Sequence, residues 1–94
     1  MLLETCQVSR KTPLDGKLEI SAATASRLAT LGAEFTLVSA GRTGTARLQA
    51  MLCTCAKGAS ASHVHHFVES QALRDLEPGS EVGVELEEGA VRIG

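Results

Sequence analysis

The stretch that decides the fold is Phe67-Val68-Glu69-Ser70-Gln71-Ala72-Leu73-Arg74-Asp75-Leu76-Glu77-Pro78-Gly79-Ser80-Glu81-Val82-Gly83-Val84. It opens as a strand, and Ser70 to Leu76 has the length and spacing of a short helix. Pro78-Gly79 ends that helix, because proline cannot continue it and glycine turns freely. Glu81 to Glu87 then alternates, with Val82, Val84 and Leu86 inward and Glu85 and Glu87 outward, as a half-buried strand does. Glu88-Gly89 turns into a last strand, Ala90 to Ile93.

Upstream, the same order occurs once before. Lys17-Leu18-Glu19-Ile20 alternates as a strand, and Ser21 is a fitting N-cap. Ala25, Leu28, Ala29 and Leu31 follow at helical spacing over residues 22–31, and Gly32 stands where a helix ends. Glu34 to Ala40 is β-like. Leu28 and Leu31 precede Leu73 and Leu76 by a constant offset, so a strand–short helix–strand unit is used twice. Each unit alone exposes an apolar strand face, so the two halves must close on each other. Leu2 to Arg10 adds a strand, and Thr12-Pro13-Leu14-Asp15-Gly16 is turn chemistry. Gly41-Arg42-Thr43-Gly44 turns into a long strand, Thr45 to Cys55. Along it Ala46, Leu48, Ala50 and Leu52 share one face, and Arg47, Gln49, Met51, Cys53 and Cys55 the other. A small-residue loop, residues 56–62, leads to a strand from His63 to Val68.

These elements predict one domain over residues 1–94, mainly β: a small closed barrel or pseudobarrel of six to seven strands with two short helices. The motifs Leu18-Glu19-Ile20-Ser21 and Phe67 to Val82 resemble those of the DNA-binding pseudobarrel. That fold is used by plant transcription-factor domains and by the recognition domains of some restriction endonucleases. The resemblance covers residues 17–87 and rests on core and turn positions. It implies a duplex-DNA-binding module. Swapped-hairpin and double-psi barrels give similar patterns, and many of those do not bind DNA.

Composition bounds the function. At 44% hydrophobic and 21% charged, 94 residues suffice for a packed core. Phe35 and Phe67 are the sole aromatics among Phe, Trp and Tyr, which argues against stacking single-stranded nucleic acid. No apolar run is long enough to span a bilayer. The N-terminus shows no signal-peptide pattern, and three cysteines do not make a disulfide framework, so the expected compartment is the cytoplasm.

The net charge of −2 is unevenly spread. Between Phe35 and Val68 there is no Asp or Glu, while Arg42, Arg47 and Lys57 are present. From Glu69 onward seven acidic residues face Arg74 and Arg92. The central hairpins thus predict a locally positive surface, extended by Arg10, Lys11 and Lys17. On a pseudobarrel such cations would grip phosphates while Gln49, Arg47 and Ser9 read base edges. The alternative is an ordinary solvated face, with the acidic third keeping the protein soluble.

A second constellation is Cys53-Thr54-Cys55 followed by His63-Val64-His65-His66. Residues two apart on a strand share a face, so pairing across the loop would set Cys55 opposite His63 and Cys53 opposite His65. Two thiolates and two imidazoles form the ligand set of a tetrahedral zinc site. Cys-x-Cys on a strand is a less usual spacing than Cys-x2-Cys on a turn, and the competing reading is two small buried apolar residues beside exposed histidines. A third reading is a homodimer through the apolar or Cys/Met face of the long strand. No nucleophile elbow, oxyanion-hole pattern or orienting carboxylate accompanies these cysteines, and Gly41-Arg42-Thr43-Gly44 lacks the phosphate-loop spacing. The expected role is binding rather than catalysis.

Overall fold

The computed structural model describes residues 1–53 and 63–94, with the backbone alone at Cys53 and His63. Among the described residues there are seven strands: β1 (Leu2–Gln7), β2 (Lys17–Ile20), β3 (Glu34–Ser39), β4 (Arg42–Cys53), β5 (His63–Ser70), β6 (Glu81–Glu87) and β7 (Ala90–Ile93). Helix α1 (Thr12–Asp15) is a single turn, and α2 (Ala22–Leu28) runs on into a 3-10 turn, Ala29–Leu31. A 3-10 helix, Gln71–Asp75, links β5 to β6.

The strands form one sheet in the order β1-β6-β7-β3-β4-β5-β2. Only β3 and β7 run parallel; every other neighbouring pair is antiparallel. The mainly β domain and its two strand–short helix–strand units are as the sequence predicts. Both units start with a serine cap: Ser21 Oγ accepts from the Thr24 amide at 3.2 Å, and Ser70 Oγ from that of Ala72 at 3.2 Å. Such caps satisfy an amide that the first helical turn leaves without a partner. Leu28 and Leu73, equivalent in the two units, are both fully buried.

The core is aliphatic. Leu18, Leu37, Val68, Val84, Val91 and Ile93 meet Leu28 and Leu73 beneath the sheet's inner face, and Phe35 is the one aromatic ring among them. Burying a large aliphatic side chain contributes about 1.5–3 kcal/mol, so this layer holds the sheet to its helices.

Three features depart from the expected layout. The sheet is not a closed ring: its end strands β1 and β2 face each other without a hydrogen-bonded ladder. Instead the Glu4 carboxylate on β1 accepts from the Ser21 amide at 2.9 Å and from the Ser21 hydroxyl at 3.0 Å. The 12–16 turn is helical, closed by Gly16 in the left-handed region, whose amide donates to Thr12 O at 2.8 Å. And β4 starts three residues early at Arg42, leaving Ala40-Gly41 as a two-residue hairpin turn with both φ angles positive.

Candidate functional site

The outward face of β4, β5 and β2 carries Arg47, Gln49, His65 and Lys17 from among the predicted binding residues. Because β5 lies between the other two, its register sets side chains in rows. Arg47, Glu69 and Lys17 form one row; Gln49, Phe67 and Glu19 form the next. The inward-facing rows, Leu48–Val68–Leu18 and Ala50–His66–Ile20, start at the core and become exposed towards the hairpin end.

A groove of about 410 Å³ runs over this outer face where β1 and β2 approach. Gln7, Ser9 and Lys11 form one side, Lys17, Glu19 and Asp15 another, and Phe67 and Met51 its apolar floor. Several polar groups here are already engaged. Ser9 Oγ lies 3.2 Å from Thr12 Oγ1 and accepts from the Lys11 amide at 3.3 Å, so it organises the start of α1. Asp15 Oδ1 accepts from the Lys17 amide at 3.0 Å. His65 Nδ1 sits 2.6 Å from Glu19 Oε2, with its ring centroid 6.4 Å from that of Phe67.

The cations correct the picture drawn from the acid-free stretch. Arg47 Nε donates to Glu69 Oε1 at 2.7 Å, and this bond with the neighbouring carboxylate charge raises the guanidinium's pKa. Arg42 Nε lies 3.1 Å from Asp75 Oδ2. Both partners come from the acidic third of the chain: Glu69 through β4–β5 pairing, Asp75 through the 3-10 helix folded beside the β3–β4 hairpin. The predicted positive surface of residues 35–68 is therefore neutralised at both arginines described. Arg92 is likewise bound, 2.9 Å from Glu87. Lys57 lies outside the described residues.

The remaining cations lie elsewhere. Among the described residues Arg10, Lys11, Lys17, Arg27 and Arg74 have no carboxylate within 4.0 Å. Four of these five surround α1. Arg10 and Lys11 precede it, Lys17 follows it, and Arg74 Cγ comes within 3.7 Å of the Cβ position at Gly16. The sequence reading placed Arg10, Lys11 and Lys17 at this turn but assigned Arg74 to the acidic segment. Only the packing of the 3-10 helix against α1 brings it here.

The hairpin register also differs from the one that set four zinc ligands together. Cys53 pairs with His63, and His65 faces Met51 instead of Cys53. Cys55 and the loop 54–62 lie outside the described residues. Among the described residues no three His, Cys, Asp or Glu side chains are grouped to hold a metal ion. A slip of two residues keeps every side chain on its own face, so alternation could not choose between the registers.

Away from this face, Cys6 is buried. Burial first, then the Glu4 and Glu19 charges, push its thiol up to about 12, so it stays protonated and a poor nucleophile at neutral pH. Burial raises the Glu4 carboxyl, but hydrogen bonds with Thr24, Ser21 and Cys6 outweigh it and hold Glu4 below its ordinary value.

No helix among the described residues is long and apolar enough to cross a membrane. No family model, curated protein or solved structure matches the chain.

Proposed function

We propose that the chain is a non-catalytic binding module for double-stranded DNA, with Arg10, Lys11, Lys17 and Arg74 as its phosphate contacts. In this reading Gln7 and Gln49, near the Phe67–Met51 floor, face base edges, since a glutamine amide can both donate to and accept from a base. The observation that carries it is the distribution of free charge. The arginines of the central hairpins are tied to carboxylates, whereas four cations without a carboxylate partner flank α1, and two of them, Lys11 and Lys17, line the groove.

The test is fluorescence anisotropy with a short mixed-sequence duplex as salt is varied. Four phosphate contacts give a log–log slope of about −3.6, hence about a 150-fold loss of affinity between roughly 50 and 200 mM salt. The double substitution Arg10→Ala/Lys11→Ala removes two contacts and should cut that loss to about 12-fold. Arg42→Ala should leave the slope unchanged, because Asp75 already occupies that guanidinium. Absence of binding at tens of micromolar protein in low salt would overturn the proposal, as would a slope that the double variant does not change.

A further inference from the structure

β4 is twice the length of β3, and only part of it is covered. The β3 ladder ends at the pair Glu34–Arg47, so no strand among the described residues lies against Leu48 to Cys53 on that side. β5 covers the opposite side of the same segment. The exposed edge reads Leu48-Gln49-Ala50-Met51-Leu52-Cys53 and holds no charge, no proline and no glycine. Charge, proline and bulges are the devices that keep sheet edges from pairing. The other two edges differ: β1 and β2 carry Glu4, Lys17 and Glu19 and face each other.

This edge also carries an apolar projection and an apolar recess on one face. Leu52 is 68% exposed and stands opposite Val64, itself 47% exposed. Four and two residues back, Leu48 and Ala50 border a groove of about 320 Å³ whose other wall is Ala25 of α2 and Ala29 of the 3-10 turn that follows it. Residues 48, 50 and 52 share the inward face, by the period of two.

We infer that a second copy of this chain pairs antiparallel with the β4 edge about a two-fold axis normal to the sheet. Such an axis keeps inward residues opposite inward residues, so it must pass through a residue position and not between two. Centred on Ala50, it sets Leu48 opposite Leu52 of the second copy, Gln49 opposite Met51, and the two Ala50 side by side. Leu52 of each copy then covers the groove bordered by Leu48 and Ala25 of the other. The projection and the recess belong to one surface, which is what an isologous interface requires. An arbitrary extended peptide would pair with the edge but would not present this match. Five paired residues a side fall well below the roughly 20–30 of a standard interface, so the dimer dissociates in the micromolar range or weaker.

The experiment is sedimentation of the whole chain under a thiol reductant, from micromolar to millimolar, with amide hydrogen exchange at both ends of that range. The expected result is a monomer–dimer equilibrium in which the amides of residues 48–52 gain protection as protein concentration rises. Leu52→Arg, at an exposed position, should weaken the dimer by about tenfold or more without changing the far-ultraviolet spectrum. Leu2→Arg, at an exposed position on β1, should leave it unchanged. A monomer throughout, or a dimer indifferent to Leu52→Arg, or protection falling outside residues 48–52, would overturn the inference.

Discussion

Gly16→Ala is the substitution whose cost the structure specifies most closely. Gly16 closes α1 at φ 69° and ψ 24°, and its carbonyl accepts from the Ser70 amide at 2.8 Å. A Cβ there would stand 2.7 Å from Ser70 O and 3.4 Å from Ser70 C, both backbone atoms that cannot rotate away. Two costs add. A left-handed angle on an L-residue costs about 1–2 kcal/mol, offset by about 0.4–1 kcal/mol from the stiffer unfolded chain. Moving α1 off β5 strains or breaks the Gly16–Ser70 bond, a further 1–3 kcal/mol or so where the group is left unsatisfied. The sum is about 1–4.5 kcal/mol. Gly79, at φ 87°, has nothing within 4 Å of its Cβ position, so Gly79→Ala meets the first cost alone and should lose about 1 kcal/mol or less. For a domain of this size 1 kcal/mol is about 4–8 °C, so the second cost alone should lower the Gly16→Ala melt below that of Gly79→Ala by about 4–24 °C. Gly16→Asn discriminates further: asparagine tolerates the angle, yet its Cβ meets the same oxygen, so it should fall nearly as far as alanine. Gly16→Ala melting within a few degrees of Gly79→Ala, or full recovery in Gly16→Asn, would refute the argument that contact with β5 dominates.

Two further substitutions probe other parts of the fold. Ala40 holds φ 51° in the exposed Ala40-Gly41 turn between Ser39 and Arg42. Two-residue turns of this kind favour Asn-Gly, so Ala40→Asn should raise stability by about 1 kcal/mol; an unchanged or lower melting temperature would count against the turn. Cys6 supplies a pH test. Its thiol titrates near 12 when folded against an ordinary 9.0, so the unfolded chain loses its proton first. Its contribution is complete below pH 9 and is lost as pH rises from 9 towards 12. Urea midpoints of the wild type should therefore fall relative to Cys6→Val over that window, and parallel profiles would show that burial does not shift the thiol.

The strands were legible because most of them bury one face. Val82, Val84 and Leu86 alternate against glutamates, and Leu48 to Leu52 against Gln49 and Met51, so period alone assigns them. The helices were legible from their caps, Ser21 and Ser70, and from the leucine pairs behind them. What could not be read was anything that leaves the period intact. Shifting β4 against β5 by two residues moves Cys53 from His65 to His63 while every inward side chain stays inward. Closure of the sheet escaped for a related reason. Whether β1 reaches β2 depends on accumulated twist and on Glu4 taking the Ser21 amide, a contact 17 residues apart in the chain.

Charge is hidden from the sequence for a different cause, and pairing alters where a polyanion could bind. A stretch of chain without carboxylates is not a surface without them, because antiparallel pairing brings a neighbouring strand's side chains into the same row. Glu69 lies just past the acid-free stretch in sequence but directly across from Arg47, with Lys17 on its other side. Asp75, six residues on, is carried to Arg42 by the 3-10 helix. Each arginine therefore offers a phosphate only a guanidinium that must first leave its carboxylate. The cations around α1 carry no such cost, although Lys11 and Lys17 share their groove with Asp15 and Glu19. With four free cations on one chain, salt-sensitive and modest affinity is the physical expectation. Pairing two copies through β4 would present eight to one duplex. The dimer and the DNA reading remain separable, because Leu52→Arg should abolish avidity while leaving the single-copy salt slope near −3.6, about 0.9 per contact.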